Sequence, residues 1–211
     1  MSSMTASTSV KQGISFEKLA GVCAILAGVV HFLYAVAFVV ISRSAPETGV
    51  FLSALFLLLA GLLSLTAMNG IYQRLKYTEA AFAMYALLLT SMGALGAAIH
   101  GGYDLANILN PPAQANADLP SQIDPRGLLT FGVMGLGLLV IAWLMSKNEQ
   151  FPKGLSYVGY ALAALFIIIY LARLIILDPG NPILLWPVLL AGFVVQPAWY
   201  IWLGLSLQRE K

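Results

Sequence analysis

The chain has 211 residues, of which 60% are hydrophobic and 9% charged, with a formal net charge of +2 and a mean hydropathy of +0.86. Soluble domains carry about 25% charged residues, so a water-soluble globule is excluded. The small net charge and the lack of a basic run exclude nucleic acid as a partner, and the single cysteine, Cys23, excludes an internal disulfide and a thiolate metal cluster.

Residues 1–17 are rich in Ser and Thr and show no apolar period, so they read as a disordered cytoplasmic tail. From 18 to 208 the pattern predicts an all-α polytopic membrane protein, a bundle of six transmembrane helices. The spans fall at about 19–41, 50–68, 80–101, 127–145, 154–177 and 183–207. Each meets the roughly 20 residues needed to cross the hydrocarbon core. Lipid offers backbone groups no partners, so the runs must be helical. None alternates with period two, which excludes a barrel. The first run is longer than the roughly 7–15 apolar residues of a signal peptide and reads as a retained span.

The third span begins as an apolar run, Ala80 to Ile99, and then turns polar. His100, Tyr103, Asp104 and Asn107 are spaced i, i+3, i+4 and i+7, so a continuing helix puts all four on one face. The longest connection, Pro111 to Arg126, is rich in Pro, Asn and Asp. Asp178-Pro-Gly-Asn-Pro between spans five and six is a turn of strong breakers. In span six Pro187 is expected in the first turn, where its missing N–H is harmless. Pro197 is expected to kink the middle, beside the unusual intramembrane amide of Gln196.

Small residues recur every four positions at Ala20, Ala24 and Gly28, and again at Gly93, Ala97 and Gly101. Such stripes let backbones approach closely, which makes spans one and three the expected central helices. Trp143, Trp186, Trp199 and Trp202 fall near span ends and read as interface anchors.

Lys and Arg counts set the orientation. Lys11, Lys18, Arg74, Lys76, Lys147, Lys153, Arg209 and Lys211 fall on the side of both termini, against Arg43, Arg126 and Arg173 on the other. This predicts cytoplasmic termini and a location in the cell (inner or plasma) membrane.

Ionisable and amide groups inside spans are costly and mark functional positions. The set here is His31, Tyr34, His100, Asp104, Arg173 and Gln196. If the bundle closes around them, they line a ligand-binding pocket open to the outer face, with kinked span six as a movable wall. Arg173 either snorkels to the outer headgroups, pairs with Asp104 or Asp178, or grips an anionic ligand. A haem between His31 and His100 is disfavoured, because their depths differ by roughly 12 Å at 1.5 Å per residue. Zinc needs three or four ligands, more than His100 and Asp104 supply. No span carries a lysine for a retinal Schiff base, and no phosphate loop or nucleophile elbow is present, so no metal or cofactor is expected.

Phe151-Pro152-Lys-Gly154-Leu155 with Gly159, and Pro197-Ala-Trp199-Tyr-Ile-Trp202-Leu-Gly204, resemble segments of a bacterial family of small six-span integral membrane proteins, a domain of unknown function. The resemblance spans about residues 18–208 and implies the fold alone. Two functional readings follow from the residues. One is a non-enzymatic protein that binds or moves a small apolar or amphipathic molecule, or joins a membrane-protein partner or a second copy of itself. The other is a membrane-embedded enzyme acting on a lipid or quinone, with His100 and Asp104 handling a proton. The first is favoured, because no nucleophile, metal set or cofactor motif accompanies the pair.

Overall fold

The computed structural model describes residues 16–111, 127–176 and 181–209. Residues 1–15 of the expected N-terminal tail, the connection after Pro111 and most of the Asp178 turn lie outside the described residues, while Phe16 and Glu17, expected in the tail, already belong to the first helix. Within them the structure is all-α, with no strand. Six helices are long and apolar enough to cross a membrane: α1 Phe16–Ser44, α2 Pro46–Leu75, α3 Ala80–Leu109, α4 Leu128–Ser146, α5 Lys153–Ile175 and α6 Pro182–Gln208. The chain is a multi-pass membrane protein.

The helices outrun their apolar stretches, because backbone hydrogen bonding continues past the hydrocarbon depth until a breaker intervenes. The expected loop 42–49 shrinks to Ala45, whose ψ of 79° breaks α1 from α2. Pro46 then opens α2, where its missing N–H is harmless. The basic segment after Asn69 stays helical to Leu75. The polar stripe also stays helical, and α3 ends only at Asn110, before Pro111.

Small residues face inward and large ones outward. On α1, Ala20, Gly21, Ala24, Ala27 and Gly28 are buried, while Leu19, Val22, Leu26 and Val29 are exposed. Water would penalise that arrangement. Lipid does not, since its tails match Leu and Val while close backbone approach gains packing.

Consecutive helices pack in order, and α6 closes the ring against both α5 and α1. The closest seams run backbone to backbone. A Cβ on Gly204 would stand 2.5 Å from the Gly21 carbonyl oxygen, and one on Gly28 would stand 2.9 Å from that of Pro197. The ring corrects the expectation that α1 and α3 are central. Their small-residue stripes split between two flanking neighbours: Gly101 packs on α2 and Gly93 on α4.

We call the end bearing Phe16 and Gln208 proximal and the opposite end distal. The proximal interior is filled with large fully buried side chains, including Met68, Ile71, Leu138, Ile141, Leu144, Leu155, Leu162 and Trp199. Trp199 is therefore not an interface anchor. Its ring stacks edge-on to Tyr200 with centroids 5.0 Å apart, and its indole nitrogen faces Gly159. Trp202 covers Gly154 and packs against the same core. Trp186, 68% exposed, and Trp143, beneath the Lys147 ammonium at 3.8 Å, fit the anchoring role better. Pro187 is the sixth residue of its helix, beyond the first turn expected for it.

Arg74 ties the proximal end together. It is buried, its Nε lies 3.0 Å from Glu17 on α1, and its two terminal nitrogens donate to the carbonyls of Ser206 and Leu207 at 2.9 Å each. Those carbonyls end α6, where helical acceptors lack partners and a cation complements the dipole.

Candidate functional site

All six helices contribute to one cavity of about 50 Å³ in the middle and distal part of the ring. Its polar wall consists of His31 and Tyr34 from α1, Ser64 from α2, His100 from α3, Thr130 from α4, Arg173 from α5, and Gln196 and Tyr200 from α6. Gly61, Gly93, Ala94 and Ala97 also line it, and Gly61 and Gly93 let α2 and α4 close onto α3 beside it.

Three helices depart from α geometry at this level. Val36–Ile41 in α1, Leu128–Val133 in α4 and Ala191–Val195 in α6 are π segments. In each, an N–H reaches five residues back: Ser42 to Ala37, Met134 to Leu129, and Gln196 to Ala191. A π turn accommodates an extra residue and re-aims the side chains around it, and such turns gather at functional sites. Tyr34 stands just before the first segment, Thr130 and Phe131 within the second, and Gln196 just after the third. In α6 the π turn also absorbs Pro197, whose missing N–H interrupts the α ladder.

His31 is buried. Its Nδ1 lies 2.7 Å from the Ala27 carbonyl one turn back, and its ring stacks on Tyr200 with centroids 4.9 Å apart. Arg173 turns inward, its guanidinium carbon 5.7 Å from the centre of the Phe131 ring, a cation–π distance. Among the described residues no carboxylate lies within ion-pair reach of it, and Asp178 lies outside the described residues. Tyr34 sits within electrostatic range of both Arg173 and Asp104. His100 and Asp104 make an i,i+4 contact, Nε2 to Oδ2, at 3.4 Å.

Of the six residues singled out from sequence, His31, Tyr34, His100, Arg173 and Gln196 share the cavity wall. Asp104 is not among its lining residues and contacts His100, which is. Ser64, Thr130 and Tyr200 were missed. Hydroxyls are common in apolar runs, and Tyr200 sits in a Trp-rich segment that reads as interface. The one available signal was placement: Ser64 is three residues from Gly61, on a face where a small residue admits a close neighbour; Thr130 gave no such signal. Among the described residues no group of three or more His, Cys, Asp or Glu side chains comes together that could hold a metal ion.

No family model, no curated protein and no solved structure matches this chain. The short likenesses around Phe151–Gly159 and Pro197–Gly204 therefore identify no family, and the six-helix membrane architecture stands on the chain's own pattern and packing.

Proposed function

We propose that this protein is a non-enzymatic membrane protein that binds a small anionic molecule, a carboxylate or a phosphate, in the distal part of the bundle. The observation that carries the reading is Arg173, held inside the ring among imidazole, hydroxyl and amide groups. No Asp or Glu stands among the described lining residues. Guanidinium with neutral donors around it is the chemistry of oxyanion recognition, and Arg supplies a planar fork for two oxygens. The narrow space restricts the bound part to a small headgroup.

The test is ligand-induced thermal stabilisation of the purified protein in nanodiscs, using acetate, butyrate and inorganic phosphate. At a hundredfold excess over Kd a bound anion adds about 2.7 kcal/mol. We expect one of these anions to raise Tm in the wild type and to lose that effect in Arg173→Ala. An equal rise in Arg173→Ala, or none with any anion, overturns the reading.

The surplus of Lys and Arg at the proximal end supports a cytoplasmic face there and an outward-facing cavity. A C-terminal reporter active only outside the cytoplasm overturns this orientation. The His100–Asp104 contact favours a second reading, an enzyme handling a proton of a lipid or quinone. A lipid- or quinone-converting activity that His100→Ala with Asp104→Ala abolishes would establish it in place of the first.

A further inference from the structure

We propose that the cavity is a hydrated half-channel that gives His31 a proton route to the distal face and none to the proximal face. The proposal does not depend on what binds Arg173.

Two hydroxyls carry it. Ser64 Oγ and Thr130 Oγ1 are buried and have no well-formed hydrogen-bond partner among the described residues. Both line the cavity, from α2 and α4. Ser64 stands near the Tyr200 phenol without completing a bond of good geometry. Buried polar groups in native proteins find a partner in protein or in water. A space of about 50 Å³ with hydroxyl, imidazole, amide and guanidinium groups in its wall holds about three to five waters, since each needs about 10–15 Å³.

His31 supplies the end point. A carbonyl can only accept, so the Nδ1 contact with Ala27 at 2.7 Å places the ring proton on Nδ1. Nε2 of the neutral ring is then an acceptor. A proton brought by distal water as hydronium binds Nε2 to form imidazolium, releases water, and leaves by the same path. The titratable and charged groups around that path are Tyr34 on the same helix, Tyr200 on α6, His100 on α3 and Arg173 on α5, with Asp104 behind His100. Proximal to His31 the ring is shut. Gly21, Gly28 and Gly204 join α1 to α6 at backbone distance, and Leu138, Ile141, Leu162 and Leu203 fill the interior.

Water-edited solid-state NMR of the labelled protein in bilayers reads this directly. We expect magnetisation to pass from water to the His31 ring, Ser64 and Thr130, and not to Ala24 or Leu203. No transfer at Ser64 and Thr130, or equal transfer at Leu203, overturns the half-channel. Isosteric replacement gives an independent reading. If water satisfies Thr130, Thr130→Val loses that bond and Tm falls by about 3 °C. If the hydroxyl is dry, removing it leaves Tm unchanged or higher, which overturns the proposal. Ser64→Ala repeats the comparison should Thr130→Val fail to fold.

Discussion

The two buried-facing arginines mark the two halves of the molecule. Arg74, at the proximal end, is buried and well bonded: the Glu17 carboxylate and the carbonyls of Ser206, Leu207 and Arg209 take four of its five donors. Arg173, in the distal half, leans on an aromatic ring and borders open space. The surroundings differ in kind as well. Large side chains fill the proximal ring, while glycines, alanines and hydroxyls leave the distal ring incompletely filled and three helices there change to π geometry. A charge tied to a carboxylate and to helix-end carbonyls holds structure together. Arg173 makes no such bonds among the described residues, and it is the charge on which the proposed ligand reading rests.

The strongest way to break this contrast is at Arg74. Arg74→Ala leaves Glu17 without its partner and exposes the last carbonyls of α6 unpaired. Glu17 is partly exposed, so the main loss is the charged donor to the buried Ser206 and Leu207 carbonyls, about 1.5–3 kcal/mol, and we expect a large fall in Tm in detergent and poor recovery from membranes. Arg74→Lys should recover only part of the loss, because a single ammonium cannot serve four acceptors in a fixed fork. An Arg74→Ala variant as stable as the wild type would show that the proximal end closes without it.

The α1–α6 seam comes next in size. Gly204→Ala puts a methyl 2.5 Å from the Gly21 carbonyl oxygen and 2.8 Å from the Ile25 nitrogen. Backbone cannot yield as a side chain can, so the helices must part, at about 2 kcal/mol. Gly102→Ala is the matched control on α3. There the new methyl meets only Leu58 Cδ1, at 3.8 Å, and stability should stay within about 0.5 kcal/mol. Parallel Tm measurements on the two variants test the ring, and equal effects would contradict the seam.

Sequence made much of this legible, for physical reasons that also mark where it stopped. Lipid forces long apolar helices, so α1 to α6 could be counted without a structure. It also makes an ionisable group conspicuous, which is why His31, Tyr34, His100, Arg173 and Gln196 were picked out and now stand around one space. The closure of the ring was not legible. A stripe such as Ala20, Ala24 and Gly28 says that something approaches closely, not what approaches. Arg74 counted only as a topology charge, because its partners are carbonyls, and every residue has one. Trp199 read as an anchor, because an indole near a span end looks the same whether it faces headgroups or core. The π segments depend on packing between helices, and only Pro197 hinted at one of them.

The smallest expected effect probes the distal half by its electrostatics. Asp104 has a side chain 38% exposed and lies outside the cavity wall. Arg173 shows no ion pair with it among the described residues, although Tyr34 senses both charges. A double-variant cycle on Asp104→Asn and Arg173→Ala should therefore give a coupling of no more than about 0.5 kcal/mol, the range of exposed or distant charges. Each single variant should also cost far less than Arg74→Ala. A coupling of several kcal/mol would mean that Arg173 is neutralised by Asp104, as a structural pair. It would then resemble Arg74 in role, and the distal half would lose the charge on which the proposed anion recognition rests.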